Sequence, residues 1–108
     1  PPAGAHDLDL ARVRALLETP VSLETAAAAL GLSRYQLIRR FQRHTGLTPH
    51  AYKLDRRVDR ARALLREGAS LVDVAHALGF ADQSHFQRAF KERTAATPGA
   101  YQRGAGNL

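Results

Sequence analysis

One pattern of residues occurs twice in the chain, and this repeat restricts the possible folds more than any other feature of the sequence. The first copy runs from Ser22 to Tyr52 and the second from Ser70 to Tyr101, with one residue inserted near Ala81. With that gap, 13 of the 31 positions of the first copy are identical in the second. A period near 48 residues indicates one supersecondary unit used twice.

Capping and turn signals divide the chain into seven predicted helices. Residues that cap helix N termini stand before amphipathic runs, and helix-stopping residues follow these runs. The predicted caps are Asp7 and Asp9, Ser22, Ser33, Thr48, Ser70, Asp82 and Thr97, and the predicted stops are Pro20, Gly31, Gly46, Gly68 and Gly79. No segment alternates with a period of two, so no strand is predicted. The sequence therefore predicts an all-α fold, with seven helices forming two helix-turn-helix units joined by a long linker helix.

The lengths of these segments set the predicted domain organisation. A length of 108 residues fits one domain, or two very small ones that share an interface. The domain is predicted over residues 8–103, with helix-turn-helix units at about 22–46 and 70–95 and the linker helix at about 49–67. Residues 1–7 are interpreted as the remnant of a linker, and residues 104–108 as a frayed tail.

The charge of the chain favours a polyanionic partner. The net charge is +6 with a pI near 10.8, which points to nucleic acid before a membrane surface. Ser33–Thr45 holds four arginines and no acidic residue, whereas Asp82–Thr94 holds three basic residues against two acidic ones. From this asymmetry we expect the first unit to carry more of the attraction to phosphate. Lys53 and Arg57 of the linker helix are further candidates for phosphate contacts.

Several classes of protein are excluded or disfavoured. No apolar run approaches the ~18 residues of a membrane span, and the absence of cysteine excludes disulfides and thiolate metal sites. The five histidines lack metal-ligand spacing, and no nucleophile elbow, phosphate loop or carboxylate dyad occurs. We therefore predict a cytoplasmic protein without membrane partner, cofactor or metal, and not an enzyme. The acidic Asp55 and Asp59 are expected to pair with arginines of their own helix.

Helical periodicity separates a core face from an outward face in the second helix of each repeat. In the first copy the core face holds Leu37, Phe41 and His44, and the outward face holds Tyr35, Arg39 and Gln42, with Ile38 and Arg43 on its flanks. In the second copy the core face holds Phe86 and Phe90, and the outward face holds Ser84, Arg88 and Lys91, with Gln83, His85 and Gln87 beside them. Arginine and glutamine are the residue types that read guanine and adenine in a major groove.

The spacing of residues in the second copy resembles a known family. Ala75 to Phe80, then Ser84 to Lys91, then Thr97-Pro98 and Tyr101 follow the pattern A-x-x-x-G-F-x-x-x-S-x-F-x-R-x-F-K and T-P-x-x-Y. From Leu8 to Arg103 the chain resembles the AraC/XylS family of bacterial transcription regulators. The resemblance implies a seven-helix domain that binds double-stranded DNA, usually within an activator that recruits RNA polymerase.

The resemblance also implies which residues meet DNA. The base-contacting residues would be Tyr35, Ile38 and Arg39 in the first recognition helix and Gln83, Ser84, Gln87 and Arg88 in the second. Ile38 is apolar and could touch only a thymine methyl group. Residues on the flanks or at phosphates would be Arg34, Gln42, Arg43, His85 and Lys91.

Three further features of the sequence lead to expectations, the first of them through the resemblance. Ala95-Ala96 replaces a glycine-containing pair usual in the family, so the turn there is expected to lack a left-handed residue. The absence of methionine and the proline-rich start suggest a fragment whose sensing or dimerisation domain lies outside this sequence. The linker helix spans ~28 Å, comparable to one turn of B-DNA at ~34 Å, and could place two recognition helices in successive major grooves.

One alternative stays open at this point. A helical protein–protein interaction module could carry the same basic face by chance, because outward arginine and glutamine also serve solubility. The two hypotheses differ in their response to salt, since specific DNA binding weakens steeply with salt and keeps its sequence preference.

Overall fold

The computed structural model describes residues 8–106, and the side chains of residues 8–104. Within this range it contains seven α-helices and no strand, which confirms the predicted fold class. The helices are α1 (Leu10–Leu17), α2 (Leu23–Ala29), α3 (Arg34–Thr45), α4 (Pro49–Arg66), α5 (Leu71–Ala77), α6 (Gln83–Thr94) and α7 (Pro98–Gly106). Asp7, predicted as an alternative cap of α1, lies outside the described residues.

The helices begin where side-chain oxygens satisfy free backbone N–H groups. Asp9, Ser22, Ser70 and Asp82 each accept a hydrogen bond from the backbone three residues later, at 2.7–3.2 Å. Ser33 does the same for Gln36 at 3.1 Å, and the Gln36 side chain accepts from the Ser33 N–H at 2.9 Å. This reciprocal pair is a capping box, and it fixes the first turn of α3.

The chain divides into two compact units, the first ending at Lys53 and the second beginning at Leu54. In the first unit α1, α2 and α3 enclose a core of Val13, Leu17, Ala26, Ala27, Leu37 and Phe41. Tyr52 lies against this core, with its ring edge-on to Phe41 at 5.6 Å between ring centroids. Its hydroxyl also donates to Glu18 at 3.2 Å, so the tyrosine joins the end of α3 to the end of α1.

The second unit has a larger core built from the same pattern. Its buried residues are Leu54, Val58, Ala61, Leu65, Val74, Ala75, Phe80, Phe86, Ala89 and Phe90. Tyr101 is edge-on to Phe90 at 5.5 Å, as Tyr52 is to Phe41 in the first unit. The phenylalanine and the tyrosine of this aromatic pair both recur at equivalent positions in the two copies. We attribute the recurrence of these residues to their packing contact.

His44 is exposed, so its predicted place on the buried face of α3 is wrong. Its ring Nδ1 lies 2.9 Å from the Arg40 carbonyl, one turn back along the helix. Phe41 is the last residue of α3 in the core cluster, and the chain turns at Gly46. Helical periodicity gives the angle of a residue around the axis, but it does not tell where along the axis the core ends.

The end of the chain also differs from expectation. Residues 104–106 continue α7, whereas the sequence placed the start of the tail at residue 104. Gly99 and Gly104 do not take the left-handed conformation that Gly31, Gly46, Gly68 and Gly79 take after four of the other helices. A glycine inside a helix costs about 1 kcal/mol relative to alanine but does not prevent helix formation. Residues 107–108 lie outside the described range.

Ala95 takes a left-handed conformation, with φ 65° and ψ 5°, contrary to the expectation for this turn. The equivalent residue of the first copy is Gly46, with φ 79°. The Thr94 hydroxyl lies 2.8 Å from the Phe90 carbonyl and 3.3 Å from the Ala96 N–H. Thr45 makes the same contacts to Phe41 and Leu47, so the repeated threonine imposes one turn geometry on both copies.

We predict opposite effects for exchanging the residues at these two turns. Ala95→Gly should raise the free energy of unfolding by about 1 kcal/mol, because it removes the penalty for a Cβ in the left-handed region. Gly46→Ala should lower it by a similar amount, since nothing lies within 4 Å of a Cβ added there and only the backbone penalty applies. Chemical denaturation measures both changes. A loss of stability in Ala95→Gly would contradict the assignment of strain to this residue.

Candidate nucleic-acid interface

Burial fixes which face of α3 meets solvent. Leu37 and Phe41 are fully buried, one turn apart, so the helix cannot rotate about its axis without exposing them. On the other side the Tyr35 side chain is 66% exposed, although tyrosine usually buries much of its ring. Arg39 is exposed beside it, and Ile38 is half-buried. The remaining predicted contacts of this helix are all exposed: Arg34, Gln42 and Arg43.

The α6 helix is positioned in the same way. Phe86, Ala89 and Phe90 of this helix are buried. The Phe86 ring also packs against the Phe80 ring, with 5.2 Å between the ring centroids. The exposed predicted residues are Ser84, Arg88 and Lys91, and the half-buried ones are Gln83, His85 and Gln87. The His85 ring is edge-on to Phe80 at 5.2 Å, so part of this side chain packs on the protein itself.

The structure therefore brings each predicted set together on one helix face. Arg39 and Arg88 occupy equivalent exposed positions, each two residues before the buried phenylalanine of its helix. Two residues correspond to a rotation of about 200° around a helix axis, which places each arginine opposite its core residue. The exposed side chains that surround them differ between the copies.

The basic residues fall into two groups by what they contact. Within residues 8–104, the side chains of Arg34, Arg43, Arg88 and Lys91 form no hydrogen bond or ion pair, and Arg39 contacts only the Tyr35 ring. These cations remain available to a ligand. All five lie on α3 or α6.

Other basic residues are engaged inside the protein, including two that were predicted to contact phosphate. The Lys53 ammonium donates to the Val21 carbonyl at 3.1 Å, and the Arg57 guanidinium lies 5.7 Å from the centre of the Phe80 ring. Arg12 donates to the Ala29 carbonyl at 2.9 Å. These contacts give each side chain a role in joining elements of its own unit.

One ion pair was missed because its partners are distant in sequence. Asp55 was expected to pair within its own helix, but it accepts a hydrogen bond from Arg93 Nε of α6 at 2.8 Å. The local expectation is correct only for Asp59, which bridges Arg56 at 3.1 Å and Arg62 at 2.9 Å. No local rule indicates a partner 38 positions away.

The part of the chain that the structure describes offers little to other chemistries. No group of three or more histidine and carboxylate side chains comes together there to hold a metal ion. None of the helices over residues 8–106 combines the length and the apolar character needed to cross a bilayer.

Known proteins share both the sequence pattern and the fold. A family model described as a helix-turn-helix domain matches residues 26–104. A crystal structure of a transcriptional regulator from Chromobacterium violaceum, described as an AraC-type DNA-binding domain-containing protein, superimposes with a TM-score of 0.76. It is 32% identical and covers 89% of this chain and 87% of that one. The chain belongs to the AraC/XylS family. Its fold is the AraC-type DNA-binding domain, and the prediction that it is not an enzyme is confirmed.

Two further relatives extend the comparison. The chain is 39% identical over 85 residues to the HTH-type transcriptional activator RhaS of Enterobacter sp. (strain 638), covering 78% of this chain and 31% of that protein. It superimposes on the DNA-binding domain of AdpA, solved in complex with a target DNA, with a TM-score of 0.75 and 29% identity. That match covers 88% of this chain and 86% of the AdpA chain. The chain spans between 23% and 31% of the length of several curated relatives that it matches, RhaS among them.

We predict that Arg93 and Arg88 of the same helix act differently in the absence of DNA. Arg93→Ala should lower the free energy of unfolding by about 1 kcal/mol, because it removes a partly shielded ion pair and leaves Asp55 without its donor. Arg88→Ala is the matched control, and as an exposed substitution it should change stability by less than about 0.5 kcal/mol. Denaturation of the free protein measures both. Equal effects of the two variants would contradict a structural role for Arg93.

Proposed function

We propose that this AraC-type domain, spanning residues 8–103, binds one specific double-stranded DNA sequence through α3 and α6, each in a major groove. The observation that carries the proposal is the pair of equivalent exposed arginines, Arg39 and Arg88, on two helices whose rotation is fixed by buried phenylalanines. Since neither guanidinium is bound to a carboxylate of the described residues, each keeps its donors for a base edge.

Each helix offers a different set of groups to the bases around its arginine. In α3, Arg39 is proposed to donate to guanine, while Ile38 and the Tyr35 ring contact thymine methyl groups or base edges. In α6, Arg88 takes the same place, and Gln83, Ser84 and Gln87 supply amide and hydroxyl groups for adenine or other bases. Two different surfaces imply two different half-sites, so the whole site is asymmetric.

The remaining polar residues at the edges of these faces are proposed to contact the DNA backbone. They are Arg34, Gln42 and Arg43 on α3, and His85 and Lys91 on α6. Contacts of this kind position the helix on the duplex and carry no sequence information. Lys53 is left out of this set because its ammonium donates to the Val21 carbonyl. Arg57 is left out because it is half-buried over the buried Phe80 ring, unlike the exposed pair of Arg39 and Tyr35.

The length of α4 supports the use of successive grooves. This helix has 18 residues. At about 1.5 Å per residue it is ~27 Å long, which approaches the ~34 Å of one turn of B-DNA. We propose that α4 acts as the linker between the two DNA-reading units, and that the two half-sites lie about one turn apart on one side of the duplex.

The wider role of the protein is inferred from its relatives. RhaS of Enterobacter is named a transcriptional activator, and AdpA is described with its target DNA. We propose that this chain is likewise the DNA-binding part of a cytoplasmic bacterial transcription activator that acts on RNA polymerase. The relatives are more than three times as long as the matched region, so sensing or dimerisation is proposed to lie outside these residues.

We predict that selection from a random pool of duplexes, followed by footprinting, yields two unlike half-motifs about one helical turn apart. Arg39→Ala should lose about 1–3 kcal/mol of binding free energy and relax preference only in one half-motif. Arg88→Ala should do the same in the other, and each variant is the control for the other. A chain that recovers no motif at low salt would instead support a protein–protein interaction module.

We also predict that the first unit dominates the response to salt. Arg34 and Arg43 correspond to Gln83 and Glu92 in the second copy, so changing both arginines to glutamine removes the excess charge of α3. This double variant should reduce the slope of log K against log salt concentration by up to about 2, because each lost phosphate contact removes ~0.9. The control Lys91→Gln should reduce it by no more than about 1. A larger change for Lys91→Gln would contradict the asymmetry.

A further inference from the structure

The side chain of Arg39 is placed by an aromatic ring on the same helix. Its guanidinium carbon lies 5.3 Å from the centre of the Tyr35 ring, one turn earlier in α3. Both side chains are exposed, so the protein core holds neither of them. A cation over an aromatic face at this distance is attracted by the negative face of the ring.

A ring holds an arginine in a different way from a carboxylate. A carboxylate occupies the N–H donors of the guanidinium, and those donors would have to be released before they could bind a base. An aromatic face contacts the flat side of the guanidinium and leaves its five in-plane N–H donors free. The Tyr35 ring can therefore order Arg39 without competing for the groups that read guanine.

We propose that Tyr35 is a positioning residue that orders Arg39 before DNA binds and thereby increases discrimination at the base pair that Arg39 reads. This inference rests on the proposed function of α3 as a recognition helix. A flexible arginine loses side-chain freedom when it is fixed on a base, and an arginine that is already ordered loses less. The ring then contributes to specificity through Arg39, in addition to any contact of its own with DNA.

The second copy of the repeat provides an internal comparison. Ser84 and Arg88 occupy the positions that correspond to Tyr35 and Arg39. Serine has no ring, and the structure records no aromatic contact for Arg88. Arg88 must therefore be fixed on its base from a less ordered state. We expect the half-site read by α3 to be discriminated more sharply at its arginine-contacted position than the half-site read by α6.

The first test uses the free protein and needs no DNA. The side-chain methylene protons of Arg39 should show an upfield ring-current shift in the NMR spectrum, whereas those of Arg88 should lie near random-coil values. The shift should persist in Tyr35→Phe, which keeps the ring, and disappear in Tyr35→Ser, which installs the residue of the second copy. Random-coil values for Arg39 in the unmodified chain would overturn the inference.

The second test measures affinity for the duplex recovered from the random pool. Tyr35→Ser should weaken binding about two- to fivefold, the usual worth of a cation–π contact at an exposed site. In an Arg39→Ala background the same substitution should have a clearly smaller effect, because only the ring's own contact with DNA is then lost. Tyr35→Phe should lose less affinity than Tyr35→Ser, because phenylalanine keeps the ring that orders Arg39.

Three outcomes separate the inference from its alternatives. An equal loss in Tyr35→Phe and Tyr35→Ser would assign the effect to the hydroxyl group and overturn the inference. A loss of the same size in the absence of Arg39 would assign the whole effect to a direct contact of the ring with DNA and would also overturn the inference. A chain without any sequence preference overturns the proposed function, while the NMR shifts still report whether the ring orders Arg39.

Discussion

The contact between a buried phenylalanine and a tyrosine ring sets the geometry of each unit. Phe41 meets Tyr52 at an interplanar angle of 73°, and Phe90 meets Tyr101 at 70°. Because each phenylalanine is fully buried, replacing it with alanine would cost about 3–5 kcal/mol, far more than any exposed residue contributes to stability. The rotation of α3 and of α6 is therefore decided in the core. The outward residues could diverge between the copies without changing the scaffold.

The turn after each recognition helix adds a second constraint. Thr45 and Thr94 make the same set of hydrogen bonds, although the residues that follow them are glycine in one copy and alanine in the other. The threonine contacts hold the backbone in a left-handed turn even where the side chain of Ala95 makes that conformation costly. Thr-Pro then begins the next helix in both copies, with Thr48 and Thr97 as its caps.

Local chemistry explains which structural features the sequence could predict. Caps and glycines act within a few residues, so they predicted the seven helices, and helical periodicity predicted the two buried faces. The pairing of Asp55 with Arg93 could not be predicted in this way, since it depends on two segments folding together. The predicted burial of His44 was wrong for a related reason, because the exposure of this residue depends on where the core ends along α3. The left-handed conformation of Ala95 was not predicted, because the expectation considered only the conformational preference of alanine and not the hydrogen bonds of Thr94.

The distribution of positive charge becomes clearer once the contacts of each cation are known. The net charge of +6 counts all basic residues alike, but Lys53, Arg57 and Arg93 are engaged in contacts within their own units. The segment Pro49–Glu67 holds six basic residues, and the sequence made two of them, Lys53 and Arg57, candidates for phosphate contacts. Arg34, Arg39, Arg43, Arg88 and Lys91, which form no hydrogen bond or ion pair within residues 8–104, lie on α3 and α6 instead. Among these, Arg39 is the one placed by an aromatic ring, which orders the side chain and leaves its donors for the bases.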